Sequence, residues 1–228
     1  MKIAIISAME KERRLILPLI QEKEEIEKLG IKVWKGRLLN HEVVIAKCGI
    51  GKVNAAINSY KIIKSFSPDL LINTGVAGGV SNRTRIGDLL VADYVAYHDV
   101  WCGPGTDIGV ADGMDVFMKC DDQIIEISHK LFDGNRLQVG LICSGDRFIS
   151  QKEETQEIIK NFPDALAVDM ESAAIAHVCC MEGIKFNIIR VISDTPGEGD
   201  NIEDYNNFWN EAPEKTFNTI KKIIEELK

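Results

Sequence analysis

No apolar run in this chain reaches the roughly 18 residues that a membrane-spanning helix needs, so a membrane span is excluded from the outset. The opening segment MKIAIISAMEKERR turns charged at Glu10. It lacks the longer apolar core and small-residue cleavage site of a secretory signal, and a cytoplasmic location is expected. Basic charge is also scarce: 27 Lys and Arg stand against 35 Asp and Glu, for a net charge of −8. The densest basic stretch, Lys11, Arg13 and Arg14, is interrupted by Glu12. Such a chain repels phosphate backbones, so a nucleic-acid partner is not expected. The six cysteines include no C-x-x-C pair, and the four histidines are scattered. That pattern suits neither a zinc site nor a disulfide framework, and no metal is expected. The aspartates between positions 99 and 122 do not have EF-hand spacing and lack its closing Glu. Low-complexity segments, internal repeats and Pro/Ser-rich linkers are absent as well.

What is present is an ordinary globular balance, 45% hydrophobic and 27% charged over 228 residues, which suits one compact domain over 1–228. Short apolar runs alternate with helical periods, the pattern of an α/β fold with one mixed sheet covered by helices. Strands are expected at 2–7, 31–38 and 42–47 (joined through Asn40), 69–74, 87–97, 137–143 and 185–192. Helices are expected at 10–21, from Gly51 to Phe66, and at 121–132, 151–161, 170–182 and 205–227. Residues 75–79 (GVAGG) read as a tight glycine turn, and 98–119 and 195–204 as loops.

Ligands of open α/β sheets sit at the carboxyl ends of strands, and polar groups gather there in this sequence. Glu12 lies just past the first expected strand, the glycine run follows another, Ser144-Gly145-Asp146-Arg147-Phe148-Ile149 follows a third, and Ser193-Asp194 a fourth. Three glycines in five residues allow close backbone approach to a ligand, but the run is neither G-x-G-x-x-G nor a P-loop. Asp169 reads as a helix cap. Glu171 reads either as a first-turn charge or as a cleft carboxylate suited to a vicinal diol. Asp194, with apolar neighbours, suits a general acid of raised pKa. Asp146 and Arg147 are placed to pair with one another.

Six blocks in order, MKIAIISAMEKE, KCGIGKVNAA, INTGVAGGV, SGDRFI, DMESAAIAHVC and RVISD, resemble the 5′-methylthioadenosine/S-adenosylhomocysteine nucleosidases, within the purine nucleoside phosphorylase superfamily. The resemblance runs from Met1 to about Asp194. It implies a single α/β domain with a central mixed sheet, a homodimer, no cofactor, and an adenine nucleoside as the small-molecule partner. It implies Glu12 as the water-activating carboxylate and Asp194 as the acid that protonates the purine at N7. Met170 and Glu171 would form the ribose site, with Glu171 on the 2′ and 3′ hydroxyls. Phe148 would stack on adenine while the Ile149 backbone reads its edge. Ala77 and Gly78 would lie against the nucleoside, and Arg190 and Ser193 would support the acid. Glu12 would repel phosphate, and the glycine run lacks the arginine and serine of the phosphorylase relatives. Hydrolysis is therefore expected over phosphorolysis. The chain departs from many nucleosidases at Val76, where a serine helps place the water, and in the 98–119 loop and Thr195–Asp200. The rival expectations are a nucleosidase or phosphorylase of another purine nucleoside, and a non-catalytic nucleoside-binding protein.

Overall fold

The computed structural model describes residues 1–132, 137–197, 199, 201–211 and 213–227. Within these lie β1 (Lys2–Ser7), α1 (Glu10–Ile16), β2 (Gln21–Lys28), β3 (Ile31–Leu38), β4 (His41–Lys47), α2 (Lys52–Phe66), β5 (Leu70–Gly79) and β6 (Leu89–Tyr97). There follow β7 (Met118–Lys119), α3 (Asp122–Phe132), β8 (Leu137–Ser144), α4 (Lys152–Asn161), β9 (Ala165–Asp169), α5 (Ser172–Glu182), β10 (Lys185–Asp194), α6 (Asn201–Glu211) and α7 (Pro213–Glu226). The architecture is α/β with one mixed sheet flanked by helices, as the sequence leads one to expect.

Alternating faces of β1 show why the central strands read as unbroken apolar runs. Ile3 and Ile5 pack in a cluster with Ile220, Ile223 and Ile224 of α7. Ala4 and Ile6 pack in another with Ala55, Ile62 and Ile63 of α2 and the small residues of α5. A strand covered by helices on both faces has no solvent side on which to place polar residues. Each such buried isoleucine contributes about 1.5–3 kcal/mol.

The pairings do more than stack strands. β5 pairs with β1 through Leu70–Asn73, then with β9 through Gly78 and Gly79, and along most of its length with β10. β10 pairs with β6, β6 with β8, and β8 with β9. These five strands therefore close into a ring, and β1, β4, β3 and β2 extend from it in that order. Closure draws the ends of β5, β8, β9 and β10 together.

Several expectations need correction. Residues 75–79 are not a turn: they are the end of β5, hydrogen-bonded to strands on both sides. Their glycines answer to crowding instead. A Cβ on Gly75 would lie 2.5 Å from Glu12 Oε1, and one on Gly78 would lie 2.6 Å from Pro196 Cγ. The expected helix 10–21 ends as regular helix at Ile16, and a single 3-10 turn carries the chain to β2. β2 (QEKEEIEK) is exposed along nearly its whole length. It pairs with β3 on one side only, and its charges suit an unprotected sheet edge. A strand with so little alternation carries no period-2 signal. β7 and β9 were likewise not foreseen, being only 2 and 5 residues long. The helix expected from 170 begins at Ser172, the loop expected to reach 204 gives way to α6 at Asn201, and the expected terminal helix is two, with Pro213 opening the second. Arg147 pairs with Glu154 at 2.7 Å rather than with Asp146.

Candidate active site

Three buried carboxylates stand after β1, after β9 and at the end of β10, and the charge of each acts on Tyr205. Glu12 is set by α1, which begins two residues past β1. Its Oε2 accepts the Met9 backbone N–H at 2.8 Å, so it turns back onto the helix start as the acid of a capping box does. Its Oε1 accepts the backbone N–H of Val76 at 3.3 Å. The departure at Val76 thus leaves intact a contact that depends on the main chain alone. Glu12 is 2% exposed, and burial pushes its pKa up, against the Met9 and Val76 hydrogen bonds and the charge of Arg190.

Glu171 is the residue before α5, and its Oε1 accepts the N–H of Gly51 at 2.9 Å. Gly51 opens α2 at a φ of 89°, a conformation that favours glycine. The next amide, that of Lys52, donates to Asp146 Oδ1 at 2.7 Å, so Asp146 caps α2 from a loop 94 residues away. Burial raises the pKa of Glu171, with the negative charges of Asp169 and Glu12 acting in the same direction.

Asp194 ends β10. Ser193 Oγ donates to its Oδ1 at 2.6 Å and Asn201 Nδ2 to its Oδ2 at 3.2 Å. Burial raises its pKa, these two hydrogen bonds oppose the rise, and the charge of Asp204 adds to it. A carboxyl that keeps its proton nearer neutrality is what general-acid catalysis calls for.

A fourth buried carboxylate is differently placed. Asp169, at the end of β9, accepts Ser144 Oγ at 2.6 Å, the backbone amides of Glu171 and Ser172 at 3.3 and 3.2 Å, the Ser172 hydroxyl, and Arg190 Nε at 3.0 Å. Arg190 Nη2 also reaches Asp169 Oδ2 at 2.9 Å, Ser172 Oγ at 2.8 Å, and the Asn73 side-chain oxygen. Arg190 is therefore committed to Asp169 rather than to Asp194, its neighbour along the strand. The cap reading of Asp169 holds through its two amide contacts.

The remaining expected residues fall around one cleft. A cavity of about 40 Å³ is lined by Gly78, Phe148, Ile149, Met170 and Asp194, with Arg147, Val168, Asp169 and Pro196. Ala77 lies within β5 and its carbonyl is 3.3 Å from Ser193 Oγ. Phe148 is half-exposed and meets Tyr205 of α6 edge-to-face at 5.9 Å. Tyr205 in turn sits under Lys11 Nζ, 4.5 Å from its ring centroid, and its hydroxyl lies 3.5 Å from Met9 Sδ. Helix α6 thus covers the cleft through Asn201 and Tyr205. Sequence reasoning had put Asn201 in a loop and singled out neither residue, since nothing local marks a side chain that reaches back to a strand end. Among the described residues no group of three or more metal-ligating side chains comes together.

The chain with this closed ring of strands and these buried carboxylates matches the Phosphorylase superfamily over residues 2–225. Within it, the chain is 36% identical over 228 residues to the 5′-methylthioadenosine/S-adenosylhomocysteine nucleosidase of Staphylococcus carnosus, covering 99% of this chain and 100% of that one. It is 35% identical over 232 residues to that of Bacillus thuringiensis subsp. konkukian, covering all of both. The crystal structure of the Streptococcus pyogenes S-adenosylhomocysteine nucleosidase in complex with 5-methylthiotubericidin superposes with a TM-score of 0.95 at 33% identity, over 100% of this chain and 98% of that one. The chain belongs to the 5′-methylthioadenosine/S-adenosylhomocysteine nucleosidase family.

Proposed function

We propose that this protein is an N-glycosidase that hydrolyses 5′-methylthioadenosine and S-adenosylhomocysteine, releasing adenine and the 5-thio-substituted ribose. The observation that carries the reading is the trio Glu12, Glu171 and Asp194: three buried carboxylates at one sheet end, none in an ion pair among the described residues. Breaking a nucleoside bond leaves an oxocarbenium-like sugar and an anionic purine. Protonated Asp194 gives its proton to N7 of the leaving base, a general-acid contribution of about 10²–10⁴-fold. Glu12 accepts a proton from the attacking water, and its anionic form stabilises the cationic sugar, an arrangement parallel to inverting glycosidases. Glu171 accepts hydrogen bonds from the ribose diol beside Met170, and those bonds strengthen in the transition state. Phe148 stacks on the base, the Ile149 main chain reads its edge, and Ala77 and Gly78 bound it. Ser193 holds the acid, and Arg190 keeps Asp169, and through it the start of α5, in place. Residues 1–228 act as one nucleosidase domain without a cofactor.

Adenine release from 5′-methylthioadenosine, followed by chromatography with and without phosphate, tests this. The expected result is release in phosphate-free buffer with free methylthioribose as co-product. Release that requires phosphate would mean a phosphorylase. Tight adenine binding without turnover would mean a binding protein.

The homodimer, a cytoplasmic location and a role in methionine salvage belong to the same reading. Ile50, Val53, Ile57 and Tyr60 are exposed at helical spacing in and just before α2, an apolar stripe suited to a second copy. Sedimentation should show a dimer, and the double substitution Val53→Lys/Ile57→Lys should shift it to monomer. A wild-type monomer would sink the dimer.

A further inference from the structure

The side chain of Asn201, the first residue of α6, is buried at 5% exposure, and its Nδ2 lies 3.2 Å from Asp194 Oδ2 and 3.4 Å from the Ile149 carbonyl oxygen. One carboxamide NH2 carries two hydrogens, so both acceptors can be served at once. They come from different parts of the chain: Asp194 from the end of β10 and Ile149 from the segment after β8. We propose that Asn201 is the positioning residue of the acid, fixing the plane of the Asp194 carboxyl and tying it to the base-edge carbonyl of Ile149. The proposal rests on the nucleosidase reading above, which makes Asp194 the acid.

The geometry is two-sided. Ser193 Oγ holds Oδ1 at 2.6 Å while Asn201 holds Oδ2, so rotation of the carboxyl about its last bond would break both contacts. A carboxylate oxygen and a carbonyl each have a second lone pair, which leaves both free to meet a purine. Near-attack geometry tolerates little rotation. Of these two donors only Asn201 belongs to the covering helix, so its contact ties the acid to the cover.

The groups that act on Asp194 are few. Ser193 comes from β10, and Asn201, Asp204 and Tyr205 from α6. Arg147, which lines the same cavity, is paired with Glu154, and Arg190 is committed to Asp169. With no cation paired to Asp194 among the described residues, the Asn201 N–H is one of two donors that oppose the effects of burial and of Asp204. Loss of that donor raises the pKa of the acid further. A general acid works protonated, so the basic limb of the kcat/KM profile then moves to higher pH, even as kcat falls from lost orientation.

The test uses the full chain with Asn201→Leu, which keeps the volume and removes the donor. Two readouts are taken: the pH profile for 5′-methylthioadenosine, and 13C NMR titration of the Asp194 carboxyl, assigned by its absence in Asp194→Asn. Expected are a fall in kcat of about tenfold, smaller than the about 10²–10⁴-fold of a whole general-acid contribution, a basic limb moved upward, and an NMR titration moved the same way. Asn201→Asp, nearly the same shape, gives a second variant should Leu fail to fold, and its added negative charge should move the titration further up. Unmoved titration in the folded variants overturns the proposal whether or not kcat falls, since a purely structural loss leaves the proton affinity of the acid in place. A wild-type protein that releases no adenine sinks the enzyme reading instead, and the NMR titration then decides the Asn201 contact alone.

Discussion

Asp169 and Glu171 stand two residues apart, both buried, and the molecule treats them in opposite ways. Asp169 is surrounded by donors from Ser144, Ser172 and Arg190, an ion pair with its remaining lone pairs filled. Glu171 has a single backbone amide from Gly51 and, among the described residues, no ion pair, although the charge of Arg190 still reaches it. The same division separates Arg190 with Asp169 from Glu12 and Asp194. A buried charge that is fully paired costs about 3–5 kcal/mol to strip of its partner. A buried carboxylate held by one or two neutral donors stays costly as an anion, and its readiness to take a proton or a hydroxyl partner can be used by a substrate. Burial alone therefore does not separate these carboxylates; the completeness of their pairing does.

The comparison can be broken most sharply at the two reacting groups. Asp194→Asn and Glu12→Gln should each lower kcat by about 10²–10⁴-fold while the protein melts no earlier than wild type. Near-normal turnover in either would remove its assigned role. On the paired side, Asp169→Asn should act in the opposite order. It leaves Arg190 with a weakened partner in a buried position, at a cost of about 3–5 kcal/mol, read as an earlier chemical-denaturation midpoint; an unchanged midpoint would place Asp169 among the dispensable carboxylates.

Gly75→Ala sharpens the contrast by steric means. The new methyl would meet Glu12 Oε1 at 2.5 Å, so Glu12 must shift, and activity should fall about tenfold or more, since small misplacements of reacting groups cost about 10². A fully active Gly75→Ala would show that the Val76 amide contact does not set Glu12. The smallest effect is one of pH. Burial raises the folded-state pKa of Glu171. Its favourable contribution is therefore complete below the ordinary carboxylate pKa of about 4 and is lost as pH rises through the raised value. Glu171→Gln should thus melt later than wild type at neutral pH and show no such gain near about pH 4, while KM for the nucleoside rises. A melting gain that is the same at both pH values would mean that Glu171 is not desolvated.

Much of this was legible beforehand. Glu12 and Asp194 drew notice because they follow expected apolar strands and Glu171 because it opens an expected helix, and the six ordered blocks joined all three to a family. The features that were missed have a common cause. β2 is an edge strand whose charges hide its period, β9 is too short to show one, and 75–79 looked like a turn because the close approach its glycines allow was assigned to a ligand, when Glu12 and Pro196 fill that space around a strand. Asn201 and Tyr205 escaped because their partners, Asp194, Ile149, Phe148 and Met9, lie up to 196 positions away in the chain.

By itself, then, the sequence determined the α/β class, most helices and strands of the core, the absence of a membrane-spanning run, and that Glu12 and Asp194 follow apolar strands. All of these follow from composition and from spacing along the chain. Only the tertiary structure decided that β5, β6, β8, β9 and β10 close into a ring, that Arg190 is committed to Asp169, and that α6 returns to cover the acid. Those outcomes depend on which distant groups meet in a crowded interior, where each buried polar atom must find a partner, and no local pattern encodes that meeting.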